Sequence, residues 1–316
     1  MSERLRERPS NRPMRKCRRC RAPEVVIELR RHNASFCRDC FLHHCREQVS
    51  RTIEEMRMIA PGDRVLVAVS GGKDSLGLWD LLLGLGYDVD GLYIGLGIGD
   101  YSRESGEATR AFAAARSATL VEVDLPTDYG FDIPGAASAT HRVPCSACGL
   151  SKRHLFNKAA LDGGYDVVAT GHNLDDEAAV LFGNVLRWDR DYLGRQRPVL
   201  PASPGFVRKV KPLVRLGERE MAAYCVLTGI DYIVEECPNA VGNKHLGYKE
   251  ALNAIEEQSP GSKAAFYLGF LARASDLFAD DTAAAASELR TCPSCGSPTT
   301  AEVCAFCKLV TRVTVT

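Results

Sequence analysis

Eleven of the thirteen cysteines fall into spacings that can bind metal. Cys17-x2-Cys20 and Cys37-x2-Cys40 form two knuckles sixteen residues apart, and Cys292-x2-Cys295 and Cys304-x2-Cys307 form two more, eight residues apart. Four thiolates in paired C-x-x-C spacing suit a tetrahedral, structural zinc ion with no open position for chemistry. Such an ion substitutes for the core that a section of about 30–60 residues cannot build alone. Cys145-x2-Cys148 and the distant Cys237 make a third set. Thiolates so spaced suit zinc or an iron–sulfur cluster, and a redox C-x-x-C is the rival reading. Three thiolates would leave one iron of a 4Fe-4S cluster without a protein ligand. Two cysteines remain: Cys45 after the first knuckles, beside His43 and His44, reads as a helical position, and Cys225 reads as a buried hydrophobe.

A second chemistry lies at Ser70-Gly71-Gly72-Lys73-Asp74-Ser75, between an apolar run and a helical pattern. Two glycines let the chain curl so that its N–H groups face an anion. The helix start adds a favourable dipole, and Lys73 and the serines add donors. A simple turn would need one glycine. The spacing does not fit G-x-x-x-x-G-K-[ST], so this is not a Walker A loop. Further on, Gly171-His172-Asn173-Leu174-Asp175-Asp176-Glu177 places an acidic pair at a helix start, suited to Mg2+ or to steering a nucleotide. The plainer reading of the pair is helix capping.

The elements that must carry these groups read as repeated βα units. Apolar, Val-rich runs at 64–69, 89–94, 119–123 and 166–170 predict buried parallel strands, with a short one at 232–234. Helical patterns follow at 76–85, 103–116, 152–161, 174–186 and 218–227. Alternation of this kind predicts an α/β fold with a doubly wound parallel sheet, flanked here by N- and C-terminal zinc ribbons. Ligands then belong at the carboxyl ends of the strands. The division expected is a basic ribbon over 1–60, a nucleotide-binding catalytic domain over 61–275, a linker or helix tail over 276–290 and a second ribbon over 291–316.

The composition narrows the partners. The 316 residues carry 40 Lys+Arg against 40 Asp+Glu. The balance is uneven, +7 over residues 1–60 (15 against 8) and −7 over the rest (25 against 32). Arg15, Lys16, Arg18, Arg19 and Arg21 surround the first knuckle, and Arg187, Arg190, Arg195, Arg197, Arg208, Lys209, Lys211 and Arg215 form a second basic stretch. A polyanionic partner at one face would account for both; a solvated surface is the plainer reading. Neither a secretory leader nor an apolar run of membrane-spanning length is evident, so a cytoplasmic protein with no membrane partner is expected. The odd cysteine count points to metal sites in a reducing compartment and not to a disulfide framework.

Ser-Gly-Gly-Lys-Asp-Ser resembles the PP-loop of ATP pyrophosphatases, which cleave ATP between the α and β phosphates and transfer AMP to a substrate oxygen. The 171–177 motif resembles the second signature of the tRNA-modifying members. Pro144-Cys-Ser-Ala-Cys-Gly-Leu-Ser-Lys-Arg153, the following 156–160 segment and Glu236-Cys237-Pro238 are similar to the TtuA/TtcA family of tRNA 2-thiolation enzymes, and the flanking zinc modules mark the TtuA-like group. The resemblance implies that Cys145, Cys148 and Cys237 hold a 4Fe-4S cluster, that Lys152 and Asp176 are catalytic, and that ATP meets Ala68, Val69, Ser70, Asp74, Ile94 and Gly171, with Gly71, Gly72, Lys73 and Ser75 completing the loop. Implied cofactors are ATP, Mg2+, the cluster and two structural Zn2+. Implied partners are tRNA and a sulfur donor, whether sulfide, a persulfide or a ubiquitin-like thiocarboxylate carrier. A homodimer is compatible with the resemblance. The expected activity is ATP-dependent 2-thiolation: adenylation of a pyrimidine C2 oxygen, then sulfur transfer. Trp188, Tyr192 and Phe206 are candidates to stack on bases. The alternatives are a PP-loop enzyme that amidates or ligates lysine to tRNA, which would not need the three central cysteines, and a non-catalytic zinc-ribbon RNA-binding protein. The alanine-rich stretch Asp276 to Leu289 has no counterpart in the resemblance.

Overall fold

The computed structural model describes residues 16–141, 143–240, 244–278 and 289–314. Arg15 and the alanines at 283–286 lie outside the described residues.

The chain opens with a hairpin of β1 (Ile27–Leu29) and β2 (Ala34–Phe36), followed by the long helix α1 (Arg38–Glu55). A run of alternating units follows: β3 (Arg64–Val69), α2 (Lys73–Gly84), β4 (Asp88–Gly95), α3 (Gly99–Arg116) and β5 (Leu120–Asp124). Two short helices, α4 (Leu125–Tyr129) and α5 (Ile133–Thr140), lead to α6 (Pro144–Asp162), β6 (Val167–Thr170) and α7 (Leu174–Arg187). Beyond them come α8 (Arg190–Gly194), β7 (Val199–Leu200), β8 (Arg208–Val210), α9 (Glu218–Thr228), α10 (Lys244–Gln258) and α11 (Ser262–Arg273). The C-terminal section is a small hairpin, β9 (Arg290–Thr291) with β10 (Pro298–Thr299), and the helix α12 (Ala305–Thr314).

Six strands form the main sheet in the order β5-β4-β3-β6-β8-β7. From β5 to β8 the neighbours are parallel, while β7 runs antiparallel to β8 at the edge. The expected doubly wound parallel sheet is present, with β7 added antiparallel at its edge. The chain moves outward from β3 in one direction and resumes at β6 on its other side, so the order reverses between β3 and β6. That reversal is where ligand crevices open in such sheets.

β3 shows why the sheet holds. Val65, Val67 and Val69 face one core with Leu76, Trp79, Met221 and Tyr224. Leu66 faces a second core with Leu92, Ile94, Leu155 and Val168. A strand buried on both faces reads as an unbroken apolar run, as this one does. Both ribbon sections join these cores: Phe41, Cys45, Val49 and Ile53 of α1 enter the first, and Cys292, Cys304, Phe306 and Leu309 enter the second. Phe306 stacks on His154 of α6 at 4.2 Å between ring centroids. A third cluster joins α7 to the last helices through Leu181, Leu252 and Tyr267.

Three further differences have local causes. Residues 232–234 are not a strand, and Ile233 N–H instead donates to Gly71 O at 3.0 Å, beside the loop. α6 begins at Pro144, well before Lys152, because proline at a first helical position suits a helix start. β7 and β8 lie within the stretch read only as basic, where two or three residues are too few for a period-two pattern to register.

Candidate nucleotide and thiolate site

β3 ends at Val69 and α2 begins at Lys73, so the Ser70–Gly72 segment curls at the carboxyl edge of the sheet. Gly71 has φ +74°, and a Cβ there would lie 2.6 Å from Ser105 O, so both backbone conformation and space demand glycine. Ser75 Oγ donates to Gly72 O and accepts from Ser70 N–H, which ties the loop to its own helix. Gly171, after β6, passes close over the loop: a Cβ would sit 2.8 Å from the backbone of Asp74 and Ser75. The two motifs therefore meet backbone to backbone across the switch point.

A cavity of about 280 Å³ opens between them. Ala68, Val69, Ser70, Asp74, Ser75, Ile94, Gly171 and Lys152 all border it. Gly72 and Lys73 face a larger neighbouring cleft of about 920 Å³, which Cys237 also borders. Asp74 and Tyr101 border both spaces, so the two are contiguous there. Tyr93, Tyr101, Phe156, Thr170 and His172 complete the walls of the smaller cavity. Phe156 and His172 fall inside motifs read from the sequence, whereas no motif signalled Tyr93 or Tyr101. His172 is exposed to the cavity, and desolvation by the surrounding protein, with Lys211 adding to it, holds its imidazole below the usual histidine range. Burial also pushes the Tyr101 hydroxyl up to about 12, with the Cys237 thiol adding to it.

Lys73 pairs with Glu218 at 2.8 Å and Asp74 at 3.1 Å. Burial works against its charge, but these two carboxylates outweigh it and raise its pKa. Burial raises the Asp74 carboxyl, opposed by Lys73 and Asn173. Asp176 borders neither cavity. It closes a capping box with Asn173 and pairs with Lys249 at 2.6 Å. Asp175 is buried, pairs with Lys263, and accepts from Glu218 N–H at 2.9 Å. The two neighbouring carboxylates thus differ: Asp175 braces α9 and α11, and Asp176 stays a quarter exposed near Asp74.

α6 carries Cys145, Cys148 and Lys152 at i, i+3 and i+7, one stripe of its surface. Cys237 lies just before the 3-10 turn Pro238–Ala240, and Cys145 Sγ donates to Asn239 O at 3.3 Å, which brings that turn against the helix. Burial raises the Cys148 thiol, Lys152 opposes it, and the Cys237 and Cys145 thiols add to it. The three sulfurs are not all within 4.8 Å of one another, unlike the terminal sets. Asn239 Nδ2 is buried there without a partner, a donor facing no acceptor. Three soft thiolates and an orphaned amide fit an iron–sulfur cluster and its sulfide.

Cys17, Cys20, Cys37 and Cys40 come within 4.8 Å of one another, as do Cys292, Cys295, Cys304 and Cys307. Cys20 and Cys37 are 3.5 Å apart and Cys295 and Cys304 3.6 Å, near the roughly 3.8 Å that a tetrahedron of 2.3 Å Zn–S bonds requires. Burial works against the Cys17 thiolate, but N–H donors from Cys20, Cys37 and Arg19 lower its pKa to about 6. The Cys304 N–H does the same for Cys292, also to about 6. Each ribbon therefore presents a thiolate ready for a cation. His32, His44 and Glu220 form another close set, but Arg31 and Gly217 N–H already occupy one Glu220 oxygen. Cys45 and Cys225 are buried away from all sets, and burial pushes the Cys225 thiol up to about 12.

The second basic stretch is largely neutralised within the protein. Arg208 pairs with Asp63 at 3.2 Å, Lys211 with Glu177 at 2.8 Å, Arg215 with Glu55 at 2.5 Å and Arg197 with Asp276 at 2.7 Å. Its expected phosphate-holding role contracts accordingly. Trp188 and Tyr192 stand out at 72% and 60% exposure at the α7–α8 corner, beside the exposed Arg195. Among the described residues no helix is long and apolar enough to cross a membrane.

Comparison with known proteins bears on this arrangement. Residues 16–42 match the family model described as the N-terminal LIM domain of the 2-thiouridine synthetase TtuA. The chain is 51% identical over 293 residues to the tRNA-5-methyluridine(54) 2-sulfurtransferase of Thermus thermophilus, covering 93% of this chain and 90% of that one. It is 41% identical to the protein of the same name from Pyrococcus horikoshii, covering 93% of each. The solved U34-tRNA thiolase NcsA from Methanococcus maripaludis, with its 4Fe-4S cluster, superposes with a TM-score of 0.73 at 24% identity, over 81% of this chain and 87% of that one. At that identity the likeness speaks to fold alone.

Proposed function

The chain belongs to the TtuA/TtcA family of PP-loop tRNA 2-thiolation enzymes and is a tRNA 2-sulfurtransferase, and from that premise we propose how its residues perform the reaction and on which base. The target is the C2 oxygen of 5-methyluridine at position 54 of tRNA, the base named for the relatives at 40–51% identity. The observation that carries the mechanism is the α6 stripe: it sets Cys148 one turn and Cys145 two turns from Lys152, which borders the cavity under the Ser70–Ser75 loop.

A pyrimidine C2 oxygen is a poor leaving group. ATP seated on Ala68, Val69, Ser70, Asp74, Ile94 and Gly171 accepts that oxygen at its α phosphorus, pyrophosphate departs, and the base carries AMP. Loop N–H groups and Lys73 stabilise the departing charge. Lys152 neutralises charge at the α phosphate or on O2. Asp74 and Asp176, hard oxygen donors near one another, would hold Mg2+ beside the phosphates. A sulfur nucleophile then attacks C2 and AMP leaves. A 4Fe-4S cluster held by Cys145, Cys148 and Cys237 would supply that sulfur, because three thiolates leave one iron open to bind sulfide. The larger cleft, bordered by both Lys73 and Cys237, is the approach for a base turned out of its stack. Trp188, Tyr192, Arg195 and the N-terminal ribbon, with Lys16, Arg18 and Arg19, are exposed and supply the rings and charges that grip RNA. Each ribbon holds a structural Zn2+ through its four cysteines. The sulfur comes ultimately from sulfide, a persulfide or a thiocarboxylate carrier, and the protein works in the cytoplasm.

Anaerobic purification with iron and sulfide analysis, followed by thiolation of unmodified tRNA, tests this reading. About four irons per chain and ATP-dependent activity are expected. A colourless, iron-free protein of full activity would end the cluster assignment and return the amidating or lysine-ligating alternatives.

A further inference from the structure

Six side chains close a ring around the nucleotide loop. Lys73 Nζ bonds Glu218 Oε1 at 2.8 Å and Asp74 Oδ2 at 3.1 Å. Glu218 Oε2 meets Lys249 Nζ at 3.3 Å, and Lys249 Nζ meets Asp176 Oδ1 at 2.6 Å. Asp176 Oδ2 accepts from Asn173 N–H at 3.1 Å, and Asn173 Nδ2 returns to Asp74 Oδ1 at 3.0 Å. The loop, the second motif, the start of α9 and the middle of α10 are thereby tied through charge. Three carboxylates face two ammonium groups, so the ring carries a net charge of −1.

A nucleotide triphosphate must enter this negative ring and needs Lys73. Glu218 is the member able to yield. Its side chain is 41% exposed against 21–25% for Lys73, Asp74, Asp176 and Lys249. It borders the larger cleft, so its carboxylate has room to swing. Its backbone stays anchored, because its N–H donates to the buried Asp175. Lys249 is held the other way: two carboxylates raise its pKa against burial, Asp176 more than Glu218.

We propose that Glu218 and Lys249 are positioning residues. Before ATP binds, Glu218 holds Lys73 in place of phosphate; when the phosphates take Lys73, Glu218 is displaced toward Lys249, which keeps Asp176 oriented throughout. This rests on the nucleotide reading of the Ser70–Ser75 loop. It assigns to α9 and α10 a part in ATP response that no sequence motif there suggests.

The test measures equilibrium Mg-ATP binding and ATP-dependent thiolation for full-length wild type, Glu218→Gln and Lys249→Met. Glu218→Gln removes a competitor for Lys73 and should bind ATP about two- to fivefold more tightly, the range expected for a half-exposed ion pair. Lys249→Met leaves Glu218 wholly to Lys73 and should bind ATP slightly less tightly, with kcat falling about tenfold while the KM for ATP moves far less; Lys249→Arg should recover most of that kcat. Glu218→Asp, which keeps charge at the helix start but shortens the reach, should lie between wild type and Glu218→Gln. Weakened or unchanged ATP binding in Glu218→Gln, with a lowered Tm in both variants, would make the ring merely structural and overturn the proposal. Wild type that binds no ATP in the same titration would overturn the nucleotide reading itself, and the placeholder with it.

Discussion

The two residues proposed as catalytic, Lys152 and Asp176, stand on different elements and in different surroundings. Lys152 borders the cavity directly, whereas Asp176 borders neither space and is held by Lys249. Lys152→Ala and Asp176→Ala should each abolish thiolation in a single-turnover assay while tRNA affinity stays within a few-fold; loss of tRNA binding in both would favour a binding module. Gly171→Ala should be nearly as damaging without touching a charge. Its Cβ would press on the Asp74–Ser75 backbone from 2.8 Å, where no flexible side chain can give way. A rise in the KM for ATP, with a stability loss of about 1–3 kcal/mol by denaturant titration, is the expected result. Glycines, thiols and the loop lysine were legible in the sequence because their chemistry depends on residue type and near spacing. Tyr93 and Tyr101 were not, because a cavity wall is built from positions distant in the chain that carry no local signature; Phe156 and His172 lie inside the quoted motifs, but nothing local marked them as wall residues.

At the scale of elements, α6 and α12 bind the C-terminal ribbon to the catalytic sheet. His154 stacks flat on Phe306, and its Nε2 is buried without a partner. Burial first, then Lys158, lowers the His154 pKa to about 4. An unfolded histidine titrates near 6.5, so between those values the unfolded chain binds the extra proton. The contribution is therefore complete above about pH 6.5 and is lost as pH falls toward 4, on the order of 1–2 kcal/mol given the ring's partial exposure to solvent. Thermal unfolding from pH 7 to 4.5 should show this slope in wild type, and His154→Phe should flatten it. An identical slope in both would place the acid sensitivity elsewhere. This docking could not be read from sequence, where His154 and Phe306 are isolated residues 152 positions apart. The βα alternation could, because strands buried on both faces leave apolar runs that a turn motif bounds on each side. The antiparallel β7 and the helices α10 and α11 escaped: the strand is two residues long, Lys, Glu and Gly interrupt the apolar face of α10, and α11 runs through Ala264 to Leu268 as an unbroken apolar stretch with no helical period.

At the scale of the whole molecule, neutrality conceals a division of labour. The basic N-terminal section and the exposed α7–α8 corner offer charge and aromatic rings, while most of the other basic groups at 187–215 are satisfied internally. tRNA affinity should therefore respond to Trp188→Ala and Lys16→Ala, by about 1–3 kcal/mol for the tryptophan in a filter-binding or fluorescence titration, and little to Arg208→Ala. The central claim is that this protein places sulfur at C2 of a tRNA uridine. Mass spectrometry of nucleosides from the tRNA of a strain lacking the protein tests it most directly. The 2-thio form of 5-methyluridine should be missing, should return with the wild-type chain and should stay missing with Lys152→Ala. A deletion strain whose thionucleosides are all unchanged would contradict the account.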